Sequence, residues 1–222
     1  GTDTIQSSIT LSLGDNVENL MLTAYNAVNG TGNSLNNVLT GNYGANTLTG
    51  GLGDDTYDAD MFDTVVEATN EGIDTVRTAQ TDYVLAANVE NLVVQGILYE
   101  GTLVATGNAL NNVIQITGTP QPYDYANYAL HGGAGNDTLI GSGVSDYLYG
   151  DEGTDSYQGG AGNDVLYVDS ADLATPGNID GGADWDSLWI TSPGGVTINL
   201  ASLTSIEGAS GGTGDDTLST TG

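Results

Sequence analysis

The sequence predicts an all-β fold, a parallel β solenoid in which two nine-residue repeats close each coil. Residues 132–167 consist of four nonapeptides with no residue between them, which read GGAGNDTLI, GSGVSDYLY, GDEGTDSYQ and GGAGNDVLY. Each repeat has glycine at its first place, aspartate at its sixth and a large side chain at its eighth, which indicates a tight turn followed by a short strand. Such a strand can bury its single inward side chain only against the same place in repeats stacked about 4.8 Å away.

Stacking of the coils also stacks the aspartates at the sixth places. Asp137 and Asp155 lie two repeats apart and would share one edge of the solenoid, and Asp146 and Asp164 would share the other. Two carboxylates about 5 Å apart repel each other by about 1 kcal/mol even at the dielectric constant of water. A cation between them is therefore expected. Because the repeats offer oxygen ligands and contain no cysteine or histidine, they favour a hard ion of the size of calcium.

These repeats resemble the RTX (repeats-in-toxin) nonapeptide family, whose pattern GGxGxDxUx binds calcium in a parallel β-roll. The pattern is matched by the two GGAGND repeats, by GGLGDDTYD from Gly50 and by GGTGDDTLS from Gly211. The resemblance implies that each calcium ion lies between one repeat and the second repeat after it, on one edge. Several calcium ions are therefore expected.

The resemblance also implies which residues hold the ions. The first site would use carbonyl groups of Gly133, Gly135, Gly150 and Glu152 with the carboxylates of Asp137 and Asp155. The second would use Ser142, Val144, Gly159 and Ala161 with Asp146 and Asp164, and the third Gly160, Gly162, Gly181 and Ala183 with Asp164 and Asp186. Val144 departs from the glycine of the pattern, so its turn is expected to differ. Asp55, which could share an ion with Asn37, and Asp216 are further candidate ligands.

Counting back from Gly50 in nines divides residues 14–58 into five half-coils. Their sixth places are Asn19, Val28, Asn37, Asn46 and Asp55. Asparagine keeps the geometry of the turn and can form hydrogen bonds, but it brings no charge that would bind a cation. The first module, residues 1–73, is therefore predicted to be mostly metal-free coil that ends in one RTX repeat and a bridge over residues 59–74.

A second module is predicted over residues 74–222, because the segments GTDTIQSS, NVENL and GNSLNNVLT recur in it as GIDTVRTA, NVENL and GNALNNVIQ. It differs by insertions at residues 95–106, 116–131 and 168–180, which should bulge from one edge without breaking the stack. Its RTX calcium core is predicted at residues 132–189. A terminal RTX repeat follows at residues 211–219.

The insertion at residues 116–131 contains Tyr123, Tyr125 and Tyr128. Tyrosines on a surface loop could contact a glycan or a protein partner, because rigid aromatic rings supply contact area at a small entropy cost. Alternatively, the tyrosines lie back over the side of the solenoid.

The composition of the 222 residues restricts the function. One Lys or Arg stands against 29 Asp and Glu, a formal net charge of −28, which argues against binding to nucleic acid or to an anionic membrane surface. No apolar segment approaches the 18 or so residues that membrane insertion needs. The sequence contains no HExxH zinc motif, and with His131 as the single histidine and Arg77 as the single basic residue, neither a Ser-His-Asp triad nor an enzyme is expected.

The leading hypothesis is an extracellular, calcium-binding β-roll that serves as a non-enzymatic structural or adhesive building block, in a surface layer, filament or adhesin. The resemblance implies that it folds on calcium after type I secretion, and end-to-end self-association would follow from solenoid ends without capping repeats. The alternative is an accessory C-terminal module of a secreted protease, lipase or alginate-modifying enzyme.

Overall fold

The computed structural model describes residues 1–23, 25–95, 100–118 and 125–219. Tyr123 and the side chain of Tyr125, two of the three tyrosines considered for partner binding, lie outside this description. Within the described residues, no helix is long and apolar enough to cross a membrane.

The chain forms a parallel β solenoid, as the sequence predicts. Numbered along the chain, ten strands make one continuous sheet: β1 (Thr4–Ser7), β3 (Asn19–Leu22), β5 (Val38–Thr40), β7 (Thr56–Asp58), β9 (Thr75–Thr78), β11 (Asn91–Gln95), β13 (Val113–Thr117), β15 (Thr138–Ile140), β17 (Ser156–Ala161) and β19 (Ile179–Ala183). Each of these strands is followed by a strand of the opposite face, so two half-coils close one coil.

The opposite face is divided into two sheets. The first contains β2 (Leu11–Ser12), β4 (Gly30–Thr31), β6 (Thr47–Thr49) and β8 (Thr64–Val66). The second contains β10 (Asp82–Val84), β12 (Glu100–Thr106), β14 (Tyr125–Ala134), β16 (Asp146–Glu152), β18 (Val165–Val168), β20 (Ser187–Ile190) and β22 (Gly208–Ser210). A separate pair is formed by β21 (Thr197–Asn199) and β23 (Thr217–Ser219), and short 3-10 helices lie at Asp172–Ala174, Pro176–Asn178 and Leu200–Ser202.

The residues at the eighth places form the core as two columns, one from each face. In the ten-stranded sheet, Leu139 of β15 pairs with Tyr157 of β17, and in the opposite sheet Leu148 of β16 pairs with Leu166 of β18. All four side chains are fully buried. The nine-residue period therefore sets the register, because any other alignment would turn these side chains out of the core.

The ten-stranded sheet continues through the predicted boundary between modules, since Thr56 of β7 pairs with Thr75 of β9. The opposite face is interrupted there, between β8 and β10. The bridge contributes an ordinary strand, β8, whose Val65 is buried in the core. The division into modules at residues 73 and 74 stays a prediction drawn from the repeated segments.

The expectation that Tyr128 could meet a partner is wrong. Residues 125–134 form β14, which pairs with β12 and β16, and Tyr128 is 4% exposed in the hydrophobic core. The prediction failed because β14 extends over ten residues and so takes up part of the expected loop.

Candidate metal centres

Acidic residues line up along two edges of the solenoid. We call the turns that lead into the ten-stranded sheet the first edge and the turns that lead out of it the second edge. On the first edge, the backbone N–H of Asp137 donates to Oδ1 of Asp155 at 2.8 Å. On the second edge, Asp146 N–H donates to Asp164 Oδ1 and Asp164 N–H to Asp186 Oδ1, both at 2.8 Å. The structure thus brings together the three aspartate pairs that the sequence singles out.

Each of these aspartates has one carboxylate oxygen that accepts a hydrogen bond, from the preceding coil or, in Asp146, from Ser142 of the same turn, and leaves the other without a hydrogen-bond partner. Among the described residues, the buried unpaired oxygens of the repeat turns are Oδ2 of Asp55, Asp74, Asp137, Asp155, Asp164 and Asp186, and Oδ1 of Asp146. All of these residues are at most 1% exposed. Burial of an unpaired carboxylate oxygen is costly, so these positions require a cation or a proton.

Asparagine turns satisfy all of their own polar groups. Oδ1 of Asn112 accepts the N–H of Asn108 at 2.7 Å, and its Nδ2 donates to the carbonyl oxygens of Val89 and Glu90, both at 3.1 Å. Asn37 makes the equivalent contacts one module earlier, to Asn33 and to two carbonyl groups of the coil below. The asparagine amide group therefore makes the contacts that a carboxylate and a bound cation would make together, so these turns need no ion.

The second residue of the turn decides whether the sixth-place oxygen stays open. In the asparagine turns, the second residue donates its N–H to the sixth-place side chain, as Asn42 does to Asn46 at 2.6 Å. In the turns that begin at Gly50, Gly132, Gly150, Gly159 and Gly181, the second and fourth residues have positive φ angles instead. In these turns the aspartate keeps Oδ2 unpaired. Glycine is favoured at these places because it adopts positive φ without strain.

The turn from Gly141 to Asp146 follows neither pattern. Ser142 donates both its N–H, at 2.6 Å, and its hydroxyl, at 3.0 Å, to Oδ2 of Asp146. Val144 is partly buried against the core rather than left-handed. Asp146 consequently leaves Oδ1 unpaired, whereas the other aspartates leave Oδ2 unpaired, so the second predicted site presents a different carboxylate oxygen from the first and the third.

Several of the predicted carbonyl ligands point into the gap between coils. A Cβ atom on Gly132 would clash with both Asp137 Oδ2 and the carbonyl oxygen of Gly150, and one on Gly153 would clash with the carbonyl oxygen of Gly135. The oxygens of Gly135 and Gly150 therefore face the space between the Asp137 and Asp155 turns. The carbonyl of Glu152 already accepts the N–H of Gly135 at 2.9 Å.

The second and third sites repeat this arrangement. A Cβ on Gly141 would clash with the carbonyl oxygen of Gly159, and a Cβ on Gly159 with that of Gly181. The carbonyls of Val144 and Gly160 point at Gly162 and Gly182 of the next coil. The remaining predicted carbonyl ligands lie in regular backbone pairing. The carbonyl oxygen of Ser142 accepts the N–H of Ala161 at 3.0 Å. Gly133 is the strand partner of Asp151, and Ala161 is that of Ala183. The ligand assignments themselves stay predictions.

Two candidate ligands lie in different surroundings from those expected. Oδ1 of Asn37 already accepts the N–H of Asn33 at 2.7 Å. The carboxylate next to Asp55 is that of Asp74, whose Oδ1 accepts Asp55 N–H at 2.8 Å. An ion shared by Asn37 and Asp55 stays a prediction. Asp216 accepts the N–H of Val196 at 3.0 Å and is half-buried. Within the described residues, no coil stacks beyond it.

Sequence reasoning missed carboxylates that come from outside the nonapeptides. Asp172, from the insertion at residues 168–180, accepts the N–H of Asp155 at 2.6 Å, and Glu207 accepts that of Asp186 at 2.8 Å. A signal for Glu207 was present, since SIEG resembles the NVENL segment whose Glu90 accepts the N–H of Asp74 at 2.8 Å. For Asp172 the signal is tyrosine in place of leucine at the eighth place, because the hydroxyl of Tyr157 donates to Asp172 Oδ2 at 2.7 Å.

Burial raises the pKa of the unpaired carboxylates, because the charged form loses its hydration. Removal from water raises the pKa of Asp137 to about 6 and those of Asp146, Asp155 and Asp164 to about 7. Neighbouring carboxylates contribute further, Asp172 for Asp155 and Asp146 for Asp164. The sites thus combine carbonyl oxygens from two coils with carboxylates whose negative charge the protein does not neutralise. These oxygens are the donor set of a calcium site.

Comparison with known proteins agrees with this chemistry. A family model of the RTX calcium-binding nonapeptide repeat matches the chain in four copies, over residues 31–66 and 130–167. The second range contains the turns from Gly132, Gly141, Gly150 and Gly159, and the first contains the turn from Gly50 with two asparagine turns before it. No curated protein and no solved structure matches the chain significantly.

Proposed function

The chain carries RTX calcium-binding nonapeptide repeats in a β solenoid, and we propose that it is an extracellular calcium-binding β-roll with a structural or adhesive role. The observation that supports this proposal best is the row of buried, unpaired aspartate oxygens on both edges. The protein cannot compensate their charge itself. Its single Lys or Arg side chain, Arg77, is already paired with Asp58 at 2.7 Å.

Calcium bound at these positions would supply positive charge between adjacent coils. The residues of the chain provide the rest: Asp137 and Asp155 hold one gap of the first edge, and Asp146, Asp164 and Asp186 hold two successive gaps of the second edge. Without the ion, each stacked pair keeps two desolvated carboxylates together, which opposes stacking. Binding to the folded state alone therefore makes folding depend on calcium.

Calcium titration of the chain freed of metal tests this proposal. Extracellular calcium modules have dissociation constants of about 0.1 to 1 mM, and an ion present at 100 times its dissociation constant stabilises the folded state by about 2.7 kcal/mol per site. We expect circular dichroism to show strand formation and a rise of several degrees or more in the melting temperature. Spectra and melting curves that are identical with chelator and with calcium would contradict the proposal.

Secretion by the type I route, a place in a surface layer, filament or adhesin, and end-to-end association belong to the same proposal. The secretion route and the place in an assembly rest on the resemblance of the repeats to RTX repeats. Analytical ultracentrifugation at increasing calcium concentration tests the association, and a monomer at every concentration would exclude it. Secretion is tested separately, by following export of the chain from cells that carry a type I system.

A further inference from the structure

A cluster of three carboxylates lies at the bridge, residues 59–74, between the first repeats and the rest of the solenoid. Asp55 precedes β7, Glu67 follows β8 and Asp74 precedes β9, and one oxygen of each lies within 4.8 Å of the others. The three residues are 1%, 7% and 1% exposed. Asp55 and Asp74 are stacked turn aspartates like the other pairs, and Glu67, which belongs to no nonapeptide, adds a third carboxylate to them.

Each of the three carboxylates has one oxygen held by the protein and one oxygen free. Asp55 Oδ1 accepts the N–H of Asn37 at 2.6 Å, Asp74 Oδ1 accepts the N–H of Asp55 at 2.8 Å, and Glu67 Oε1 accepts the hydroxyl of Tyr57. The remaining oxygens, Asp55 Oδ2, Glu67 Oε2 and Asp74 Oδ2, are buried and have no partner. The held oxygens fix the direction of the free ones, so the cluster is oriented by its surroundings.

The corresponding place in the second block is built differently. There the hydroxyl of Tyr157 donates to Asp172 Oδ2, which also accepts the N–H of Asp169 at 2.9 Å, and Oδ1 accepts Asp155 N–H. Both oxygens of Asp172 are therefore satisfied by the protein. Glu67, in contrast, is held by Tyr57 at one oxygen only, and its other oxygen has no partner.

We propose that Asp55, Glu67 and Asp74 form a calcium site that ties the bridge to the coils on both sides of it. Three carboxylates give this site one negative charge more than a pair of RTX aspartates has, and affinity for calcium rises with the number of charged ligands. Oxygen-only ligands suit a hard cation, and calcium accepts many protein oxygens in flexible geometry, whereas magnesium retains several of its waters. The inference deepens the proposed function and rests on it for the choice of calcium.

The variant Glu67→Gln tests the site, because it removes one charge and keeps an oxygen that can accept from Tyr57. Asp54→Asn is the matched control: it removes one charge next to Asp55, but Asp54 is exposed, and the amide oxygen can still accept the N–H of Ile73. In calorimetric calcium titrations we expect Glu67→Gln to lose the tightest class of sites or to weaken it roughly tenfold or more. The control should behave as the wild type does. Equal stoichiometry and affinity in Glu67→Gln and wild type would overturn the proposal.

A second measurement does not depend on the folding of a variant. In crystals of the wild-type chain grown with terbium, an anomalous difference peak among the three carboxylates is expected, and an RTX edge occupied while this cluster is empty would overturn the site alone. If the wild type bound no ion anywhere, the proposed function would fail as well. The two results separate failure of this site from failure of the wider proposal.

Discussion

Aspartate and asparagine differ at a single atom of the sixth-place side chain, yet they leave different groups unsatisfied. Asn112 has all of its polar atoms bonded within the protein, whereas Asp137, in the next coil, accepts Asn112 N–H at Oδ1 and keeps Oδ2 unpaired. One side chain therefore completes its turn by itself, and the other completes it only together with a cation or a proton.

The change of Asp155 to Ala should destabilise the second block in calcium more than the change of Asn37 to Ala destabilises the first. Both variants leave backbone groups unpaired, at a cost of about 1–3 kcal/mol each. Asp155→Ala additionally removes a carboxylate that lies between Asp137 and Asp172. Hydrogen exchange in calcium, read separately over the two blocks, measures the difference; equal losses of protection would contradict it.

Ser142 offers a gain-of-function test. Replacing Ser142 and Val144 together by glycine restores the GGxGxD pattern, removes the hydroxyl that donates to Asp146 Oδ2, and lets residue 142 adopt the positive φ of the other turns, in which its N–H no longer donates to that oxygen. We expect calcium binding on the second edge to become severalfold tighter, because one more carboxylate oxygen becomes available. In chelator the same variant should be less stable, since Val144 packs against the core and glycine costs backbone entropy. Calorimetry and thermal melts measure both effects, and unchanged calcium affinity would refute the role assigned to Ser142.

At the scale of elements, a tyrosine at the eighth place marks a coil in which a carboxylate enters from outside the repeats. Tyr57 and Tyr157 are both fully buried, and their hydroxyl groups reach Glu67 and Asp172. Leucine, as in Leu139, has no group that could hold such a carboxylate. The inserted segments are therefore fastened to the solenoid through the core as well as through its edges.

Tyr157→Phe should loosen the insertion at residues 168–180 while the sheets stay intact. The hydroxyl donates to Asp172 Oδ2 at 2.7 Å and also lies 3.1 Å from the carbonyl oxygen of Tyr167, and its loss leaves these acceptors with fewer partners. We expect a loss of about 1–3 kcal/mol in the free energy of unfolding. Hydrogen exchange should rise first around the helix Asp172–Ala174. Loss of protection spread evenly over all coils would argue against this local role.

The nine-residue period allows the residues of the repeats to be predicted, but not those that the segments between the repeats supply. The pairing of Asp137 with Asp155 follows from counting alone, because equal spacing places them one coil apart. Asp172 and Glu67 could not be placed by counting, since each is supplied by a segment whose length breaks the period. The sequence predicts a surface insertion around Tyr128, because no pattern in it indicates that β14 extends over ten residues.

At the scale of the whole molecule, the formal charge of −28 and the buried carboxylates act in the same direction. Like charges along two edges oppose the stacked state wherever they stay ionised and uncompensated. Protons and calcium are the two agents that can relieve this repulsion, and they compete for the same oxygens. The stability of the solenoid should therefore depend on pH in opposite senses with and without calcium.

Without calcium, the solenoid should be more stable at mildly acidic pH than at alkaline pH. In the fold, burial raises the pKa of Asp137 to about 6 and of Asp155 and Asp164 to about 7, from the usual 3.8. The folded state thus binds more protons than the unfolded chain between about pH 4 and about pH 7, so this stabilisation is complete below about pH 4 and is lost as pH rises through about 7.

In about 10 mM calcium, roughly ten times the weakest expected dissociation constant, the carboxylates stay ionised and protons compete with the ion. The stability of the calcium-loaded protein should therefore fall as pH is lowered from 8 to 5. Thermal melts of dialysed, metal-free protein and of calcium-loaded protein over this range measure both slopes. Slopes of the same sign would show that the buried carboxylates do not share their oxygens between protons and calcium.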